Sequence, residues 1–354
     1  MSVTYTAVLA VREQTVGHHR IGVNPATACD TRASFQRSVV NAEEVIMSRV
    51  LGYEGFGGAE VQTYFDRPDP QPKEGEILIK LRAAGVARID MALRSGYLQA
   101  FNGHLPFPQV MGIEGAGDVL AIGAGVTDFR VGDAVFGFVL RGAGTYGETT
   151  VLPAANAARK PDGLSYESAA AIPVSGTTAL DALDGLDLPD DATVLINGVG
   201  GSTGLVTAGL ARARGLTVIG TGSDSKRPVA EALGITFVSY QAGDVSEQVR
   251  ALAPAGVDGL IDLVGGDSMR SVAGLVKDAR QLISVADEAV GELGGRFVVR
   301  RLDRSGLEKV AALMVAGKTD AHISRSVPFD QAADAVAAVE SGHVTGKVVI
   351  TFAA

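Results

Sequence analysis

Apolar positions along this chain change their period once, and the change divides it. From Met47 to about Val174 they come in short runs broken by glycine and proline, at Ile77 to Leu81, Gly117 to Ile122, Ala134 to Val139 and Thr149 to Leu152. Runs this short predict β-strands, and the breakers predict tight turns, so this part is expected to form a twisted, antiparallel body. After Pro173, strand-like and helix-like runs alternate. Strands are expected at Thr193–Asn197, Thr217–Thr221, Phe237–Ser239, Leu260–Val264 and Leu282–Val285, with a helix from Ser202 to Arg214 and others ending near Leu233, Ala253 and Val276. Such alternation predicts a parallel sheet covered by helices on both faces, an α/β fold. A helical run from Gly306 to Ala316, a last helix over Asp330–Ser341 and a strand over Lys347–Phe352 form a tail expected to return to the first body. Residues 1–46 hold no sustained period and read as an appendage ahead of a domain start at Met47.

Composition narrows the class. The 354 residues, 46% apolar and 20% charged, suit two globular domains. A net charge of -9 sets the chain against a phosphate backbone, so no nucleic-acid partner is expected. The single cysteine, Cys29, forms no internal disulfide and builds no cysteine-rich zinc site, which fits a reducing cytoplasm. Every apolar stretch is interrupted short of the roughly 18 residues a bilayer demands, so no membrane span is expected. The piece Ala7 to Val11 has no basic residue ahead of it and fails as a signal peptide. His18 and His19 lack a third ligand at a useful spacing and predict no metal site.

The strongest chemical signal is the buried run Thr193 to Asn197, followed by GVGGSTG and an amphipathic segment carrying Leu205, Val206, Gly209, Leu210 and Ala213 on one face. Gly198, Gly201 and Gly204 allow a tight turn, a close approach to a pyrophosphate and close helix packing, while Ser202 and Thr203 open a helix whose free N–H groups face the phosphates. Dinucleotide binding follows. About 20 residues beyond such a turn, enzymes using NAD carry an acid for the ribose 2′-hydroxyl. Here the chain reads Thr221-Gly222, then Ser223-Asp224-Ser225-Lys226-Arg227. Hydroxyls on Ser223 and two cations, Lys226 and Arg227, suit a 2′-phosphate and favour NADPH; NADH is the alternative, reached if Asp224 meets the ribose.

The run Gly112-Ile113-Glu114-Gly115-Ala116-Gly117, continued by Gly123 and Val126, joins FRVGDAVFG (Phe129 to Gly137), IPVSGTTA (Ile172 to Ala179) and VTGKVVITF (Val344 to Phe352). With these the chain resembles the medium-chain dehydrogenase/reductases, in the zinc-free quinone oxidoreductase branch that includes enoyl reductases. The resemblance runs from about Met47 to the C-terminus. It implies a doubly wound parallel Rossmann domain over 175–303, a β-rich GroES-like catalytic domain over 47–174 plus 304–354, an active site in the cleft between them, and a homodimer. Zinc alcohol dehydrogenases carry a metal-binding histidine where this chain has Ile113 and a cysteine where it has Ala87. Neither residue here ligates zinc.

What the resemblance implies for the site is an oxidoreductase that passes hydride from NADPH to an activated C=C bond or a quinone, on a small apolar carbonyl substrate. A reductase or cyclisation partner in polyketide-like metabolism is one alternative, and an NADP(H)-binding sensor or structural protein with little turnover is another. Thr177 and Thr178 would lie along the nicotinamide and Lys347 near the cofactor. Tyr97 borders the cleft in relatives and is the candidate proton donor, against a tyrosine packed on the surface. Asp90 stands where the family has an aspartate, more often a loop anchor than a proton carrier. His104 reads as a loop residue between prolines. Tyr53, Tyr146, Phe101 and Phe107 are candidates for an aromatic substrate pocket. Ala87 replaces the asparagine usual in quinone oxidoreductases and removes an amide from beside the nicotinamide, which counts against ordinary quinone activity and keeps the sensor reading open.

Overall fold

Two separate sheets are built from the strands of this chain, and the computed structural model describes residues 46–97, 106–139 and 142–353 of it. Residues 1–45, with His18, His19 and Cys29, lie outside them, as do Phe101 and His104. In chain order the strands are β1 (Met47–Tyr53), β2 (Gln62–Pro68), β3 (Glu76–Val86), β4 (Gln109–Val110), β5 (Glu114–Ile122), β6 (Ala134–Phe138), β7 (Thr149–Pro153) and β8 (Ala157–Arg159). They continue with β9 (Thr193–Asn197), β10 (Thr217–Gly222), β11 (Thr236–Ser239), β12 (Gly259–Asp262), β13 (Leu282–Ser284), β14 (Arg296–Phe297), β15 (Ile323–Pro328) and β16 (Lys347–Thr351). The helices are α1 (Arg88–Arg94), α2 (Tyr166–Ala170), α3 (Thr177–Asp184), α4 (Ser202–Ala213), α5 (Arg227–Ala232), α6 (Val245–Leu252), α7 (Gly266–Ala273), α8 (Arg304–Val315) and α9 (Ala332–Glu340).

One body is a seven-stranded sheet in the order β15-β16-β3-β5-β6-β8, with β7 also on β3, flanked by the three-stranded β2-β1-β4. Ile77, Ile79 and Leu81 alternate along β3 and are fully buried in one cluster with Val119, Phe129 and Leu152. Past Leu81 the alternation ends because β3 is covered on both faces: a Cβ on Gly85 would lie 2.4 Å from Glu114 Oε1 and 2.8 Å from the Ala170 carbonyl. β16 pairs antiparallel with β3, so the C-terminal strand closes onto the sheet begun in the N-terminal half.

The other body is a six-stranded parallel sheet in the order β11-β10-β9-β12-β13-β14. That is the doubly wound dinucleotide order 3-2-1-4-5-6, with the strand order reversing between β9 and β12. Val194, Leu195, Ile196, Leu260, Ile261, Leu282 and Ile283 are nearly continuous apolar runs with no exposure, as two covered faces require. α8 buries Leu307, Val310, Ala311 and Met314, the one-sided spacing of a helix laid on a core.

Two expectations are corrected. The strand read as Leu260–Val264 stops at Asp262, because its carboxylate accepts the N–H groups of Val264 and Gly265 and turns the chain. β1 and β2, a seven-residue antiparallel pair, have no counterpart among the expected strands. β2 carries Gln62, Thr63, Asp66 and Arg67 and is nowhere fully buried, so its pairing with β1 makes it a strand, not an apolar pattern.

Candidate active site

The glycine turn lies where β9 meets α4, at the reversal of strand order. Its three spaced glycines have distinct tasks. Gly198 takes φ +90°, a left-handed conformation that side chains resist. A Cβ built on Gly201 meets nothing within 4 Å, so backbone there is open to a close approach. A Cβ on Gly204 would lie 2.6 Å from the carbonyls of Gly198 and Val199, so this glycine lets the helix seat against the turn. Gly201 caps the twelve-residue α4 without a side-chain bond, leaving its first N–H groups for an anion. These residues fit a dinucleotide pyrophosphate. Ser202 Oγ pairs with Ser175 Oγ at 2.8 Å, and Gly346 N–H donates to the Gly200 carbonyl at 3.1 Å.

Beneath the turn runs a buried polar row that sequence reasoning missed. Thr221 Oγ1 accepts the Gly198 N–H at 3.0 Å and donates to Asn197 Oδ1 at 2.8 Å. Asn197 Nδ2 donates to Asp262 Oδ1 at 2.8 Å, and Ser284 Oγ to Asp262 Oδ2 at 2.7 Å. With its partners supplied from neighbouring strand ends, this carboxylate is satisfied while buried and fixes the turn from below.

At the ribose end, Gly222 closes β10. A Cβ there would come 3.0 Å from the Phe237 ring, so the place of the usual acid is tight. Ser223 and Ser225 hydroxyls meet at 3.0 Å. Arg227 stays half-exposed, stacked 4.9 Å over Phe237 and ion-paired with Glu231 at 3.1 Å and Asp224 at 3.5 Å. Lys226 is directed elsewhere: its Nζ donates to the His343 carbonyl at 2.6 Å and Thr345 Oγ1 at 3.0 Å, and burial lowers its pKa. The exposed Tyr240, its N–H on the Gly222 carbonyl at 3.2 Å, is a flanking residue that sequence reasoning missed. The signal was its place after the apolar run that pairs beside β10.

Lys347 meets a carboxylate that also holds the segment leading to Thr177 and Thr178. Lys347 Nζ bonds Glu114 Oε1, and Glu114 Oε2 accepts the Val174 N–H at 2.6 Å; both side chains are sealed from solvent. Thr177 and Thr178 donate to the carbonyls of Pro173 and Val174, at 2.5 and 2.6 Å, within a π-helical turn over Ile172–Gly176. This cluster joins the last strand, β16, to β5 and to the segment entering α3. Glu114 was legible only as part of a glycine motif.

The tyrosines separate. Tyr146 is fully buried and donates to Asp90 Oδ2 at 2.7 Å, which also accepts the Ala87 N–H at 2.9 Å. Burial pushes the Asp90 carboxyl up to about 6, against the lowering effect of those two bonds. Tyr53 donates to Gln109 Oε1 at 2.8 Å, and burial with the nearby Asp90 charge raises its phenol to about 12. Phe107 lies edge-on to Tyr53 and Phe56, at 6.0 and 5.0 Å between ring centres. Tyr97 stands 82% exposed. Ala87 and Ile113 both pack into the apolar core. No group of three or more metal-ligating side chains occurs among the described residues. A cavity of about 750 Å³, lined by Ser165, Ser168, Arg212, Lys318 and His322 among others, sits by the C-terminal half of α4. It is therefore at the far end of that helix from the glycine turn.

Comparison with known proteins agrees with this geometry. Residues 73–162 match the alcohol dehydrogenase GroES-like domain and residues 233–350 the zinc-binding dehydrogenase family. A quinone oxidoreductase of Pseudomonas aeruginosa is 31% identical over 67% of this chain and 73% of its own. A synaptic vesicle membrane protein VAT-1 homolog of Danio rerio is 32% identical over 73% of this chain, which spans 54% of that relative's length. The solved quinone oxidoreductase of Coxiella burnetii superposes with a TM-score of 0.79 at 27% identity, over 86% of this chain and 99% of that one. Among the described residues no helix is long and apolar enough to cross a membrane.

Proposed function

The chain belongs to the medium-chain dehydrogenase/reductase superfamily, in its quinone oxidoreductase branch, and from that premise we propose that it is an NADPH-dependent, zinc-independent reductase of activated C=C bonds or quinones. The observation that carries the proposal is the division of labour at Gly198, Gly201 and Gly204, which suits the close approach of a pyrophosphate. When bound, the reduced nicotinamide supplies the hydride. The chain's part is to hold and shield. Ser202 and Thr203 open the helix toward the phosphates; Ser223, Arg227 and Tyr240 border the 2′-phosphate position that Gly222 leaves without an acid. Lys226, through the 343–345 loop, ties that side of the cleft to the strand bearing Lys347. Tyr53 and Phe107 offer an apolar wall for a flat substrate.

Ala87, where quinone oxidoreductases have asparagine, favours a second reading: a cofactor-binding protein with little turnover. One assay separates the two. Purified protein is mixed with NADPH or NADH and a panel of enones and quinones, and loss of reduced-nicotinamide absorbance is followed. Turnover with NADPH preferred supports the reductase. Tight NADPH binding without turnover on any acceptor selects the second reading, and a preference for NADH overturns the cofactor assignment. A homodimer is also proposed, through the short edge strand β14 and the residues just after it, where Phe297 and Val299 are exposed at 36% and 75%.

A further inference from the structure

The segment after β14 crosses the C-terminal edge of the parallel sheet between two anchors. Val298 N–H donates to the Ser284 carbonyl at 2.9 Å, and Arg301 grips Asp181 through its backbone N–H at 2.6 Å and its guanidinium at 2.5 and 2.8 Å. Between them Arg300 lies over the Phe138 ring at 5.3 Å. Phe138 ends β6 opposite Glu114, so Arg300 reaches from the parallel sheet to the antiparallel one, across the cleft. Its Nε is sealed from solvent, and among the described residues no acceptor meets it. Burial lowers its pKa, while the charges of Glu114, Asp90 and Asp181 sustain the cation without bonding it. The side chain as a whole stays partly exposed, so its outer nitrogens can be reached from the cleft, and a guanidinium with a desolvated, unused Nε donor is costly unless a ligand offsets it.

The ligand's chemistry follows from the donor. Arginine presents a rigid planar fork that suits an oxygen bearing negative charge. The ends of β12 and β13 belong to the second mononucleotide half of the sheet, which takes the nicotinamide side of the cofactor. Other polar groups at the cleft are engaged: Lys347 with Glu114, Tyr146 with Asp90, Tyr53 with Gln109. We propose that Arg300 is a catalytic residue that binds the carbonyl oxygen of the acceptor and stabilises the enolate formed there. This assignment rests on the hydride-transfer reading above. The acceptor's β-carbon gains hydride, with its electron pair, from the reduced nicotinamide. The C=C pair moves to make the enolate, whose oxygen the guanidinium holds, and the α-carbon then takes a proton from water. The products are the saturated ketone, oxidised nicotinamide and the hydroxide left by the water.

Two measurements test it. The probe for the first is 4-nitrophenolate, a planar oxyanion whose absorbance reports its ionisation, titrated into the protein with NADP+. Arg300→Met is expected to weaken phenolate binding at least about tenfold, as the loss of a charged hydrogen bond implies, with Arg300→Lys between it and the parent chain. In the second, kcat on an enone is expected to fall about 100-fold or more in Arg300→Met, with NADPH affinity unchanged and partial rescue by added guanidinium ion. Phenolate binding that depends on Arg300 in a protein that reduces no enone or quinone supports the oxyanion site and overturns the hydride-transfer reading. Unchanged phenolate affinity and kcat in Arg300→Met overturn the role of Arg300 and leave that reading intact.

Discussion

Replacing Asp90 by asparagine isolates one buried charge. Asp90 is the third residue of α1 and is 2% exposed; Oδ2 accepts two hydrogen bonds, and Oδ1 is buried without a partner among the described residues. The groups facing it are the phenols of Tyr146 and Tyr53, the Glu114 carboxylate, which raises its pKa further, and the Lys347 ammonium, which lowers it. Desolvation dominates and carries the carboxyl from 3.8 to about 6. Between those values the folded chain binds more protons than the unfolded one, so this group's stabilisation is complete below about pH 4 and is lost as pH rises through about 6. Two units correspond to about 3 kcal/mol, of which about 2 kcal/mol falls between pH ~4.5 and ~7.5. In Asp90→Asn the amide oxygen accepts both bonds and Nδ2 takes the place of Oδ1. Any cost of that unpartnered amide, about 1–3 kcal/mol, is the same at each pH and cancels in the comparison. Urea unfolding followed by circular dichroism at a series of pH values is expected to show the variant gaining about 2 kcal/mol on the parent chain from pH ~4.5 to ~7.5. A difference that stays constant, or that grows toward acid, refutes the reasoning.

Other consequences are as direct. Gly201→Asp has room for its Cβ, so its melting temperature should hold, while reduced-nicotinamide fluorescence titration should show cofactor affinity lost by tenfold or more (on the order of one charge repulsion). Gly204→Ala drives a methyl against two carbonyls and should lower unfolding stability in urea by about 1–3 kcal/mol. Arg227→Ala should raise the Kd for NADPH about tenfold, leaving that for NADH unchanged by calorimetric titration. Lys347→Met strands the buried Glu114 and should cost about 3–5 kcal/mol in urea unfolding, with Glu114→Gln in the same chain restoring part of it.

Which features could be read in advance depended on how far each signal reaches along the chain. The glycine turn is local: a buried strand, three spaced glycines and an amphipathic helix are contiguous, so the parallel fold and the geometry of the turn were legible together. Charge is less reliable. Lys226 looked like a phosphate ligand because it follows Ser223, but its stem passes behind Gly200, where a Cβ would fall 2.4 Å from Lys226 Cγ, and its ammonium meets a loop more than a hundred residues away. The route of the chain decided its partner. Asn197, Thr221, Asp262 and Ser284 show a third case. Each is a polar residue at or near the end of an apolar run, unremarked when met singly. Parallel register sets Thr221 and Asp262 beside Asn197, and Ser284 beside Asp262, at one level of the sheet. Strands of equal direction bring like positions side by side, so polar residues recurring at successive strand ends imply a row beneath the turn. That inference needs only the strand order, which the alternation of strands and helices had already restricted. Arg300 needed more. Its neighbours are fixed by Arg301 on Asp181 and by Phe138 on another sheet, contacts between segments whose spacing along the chain carries no period.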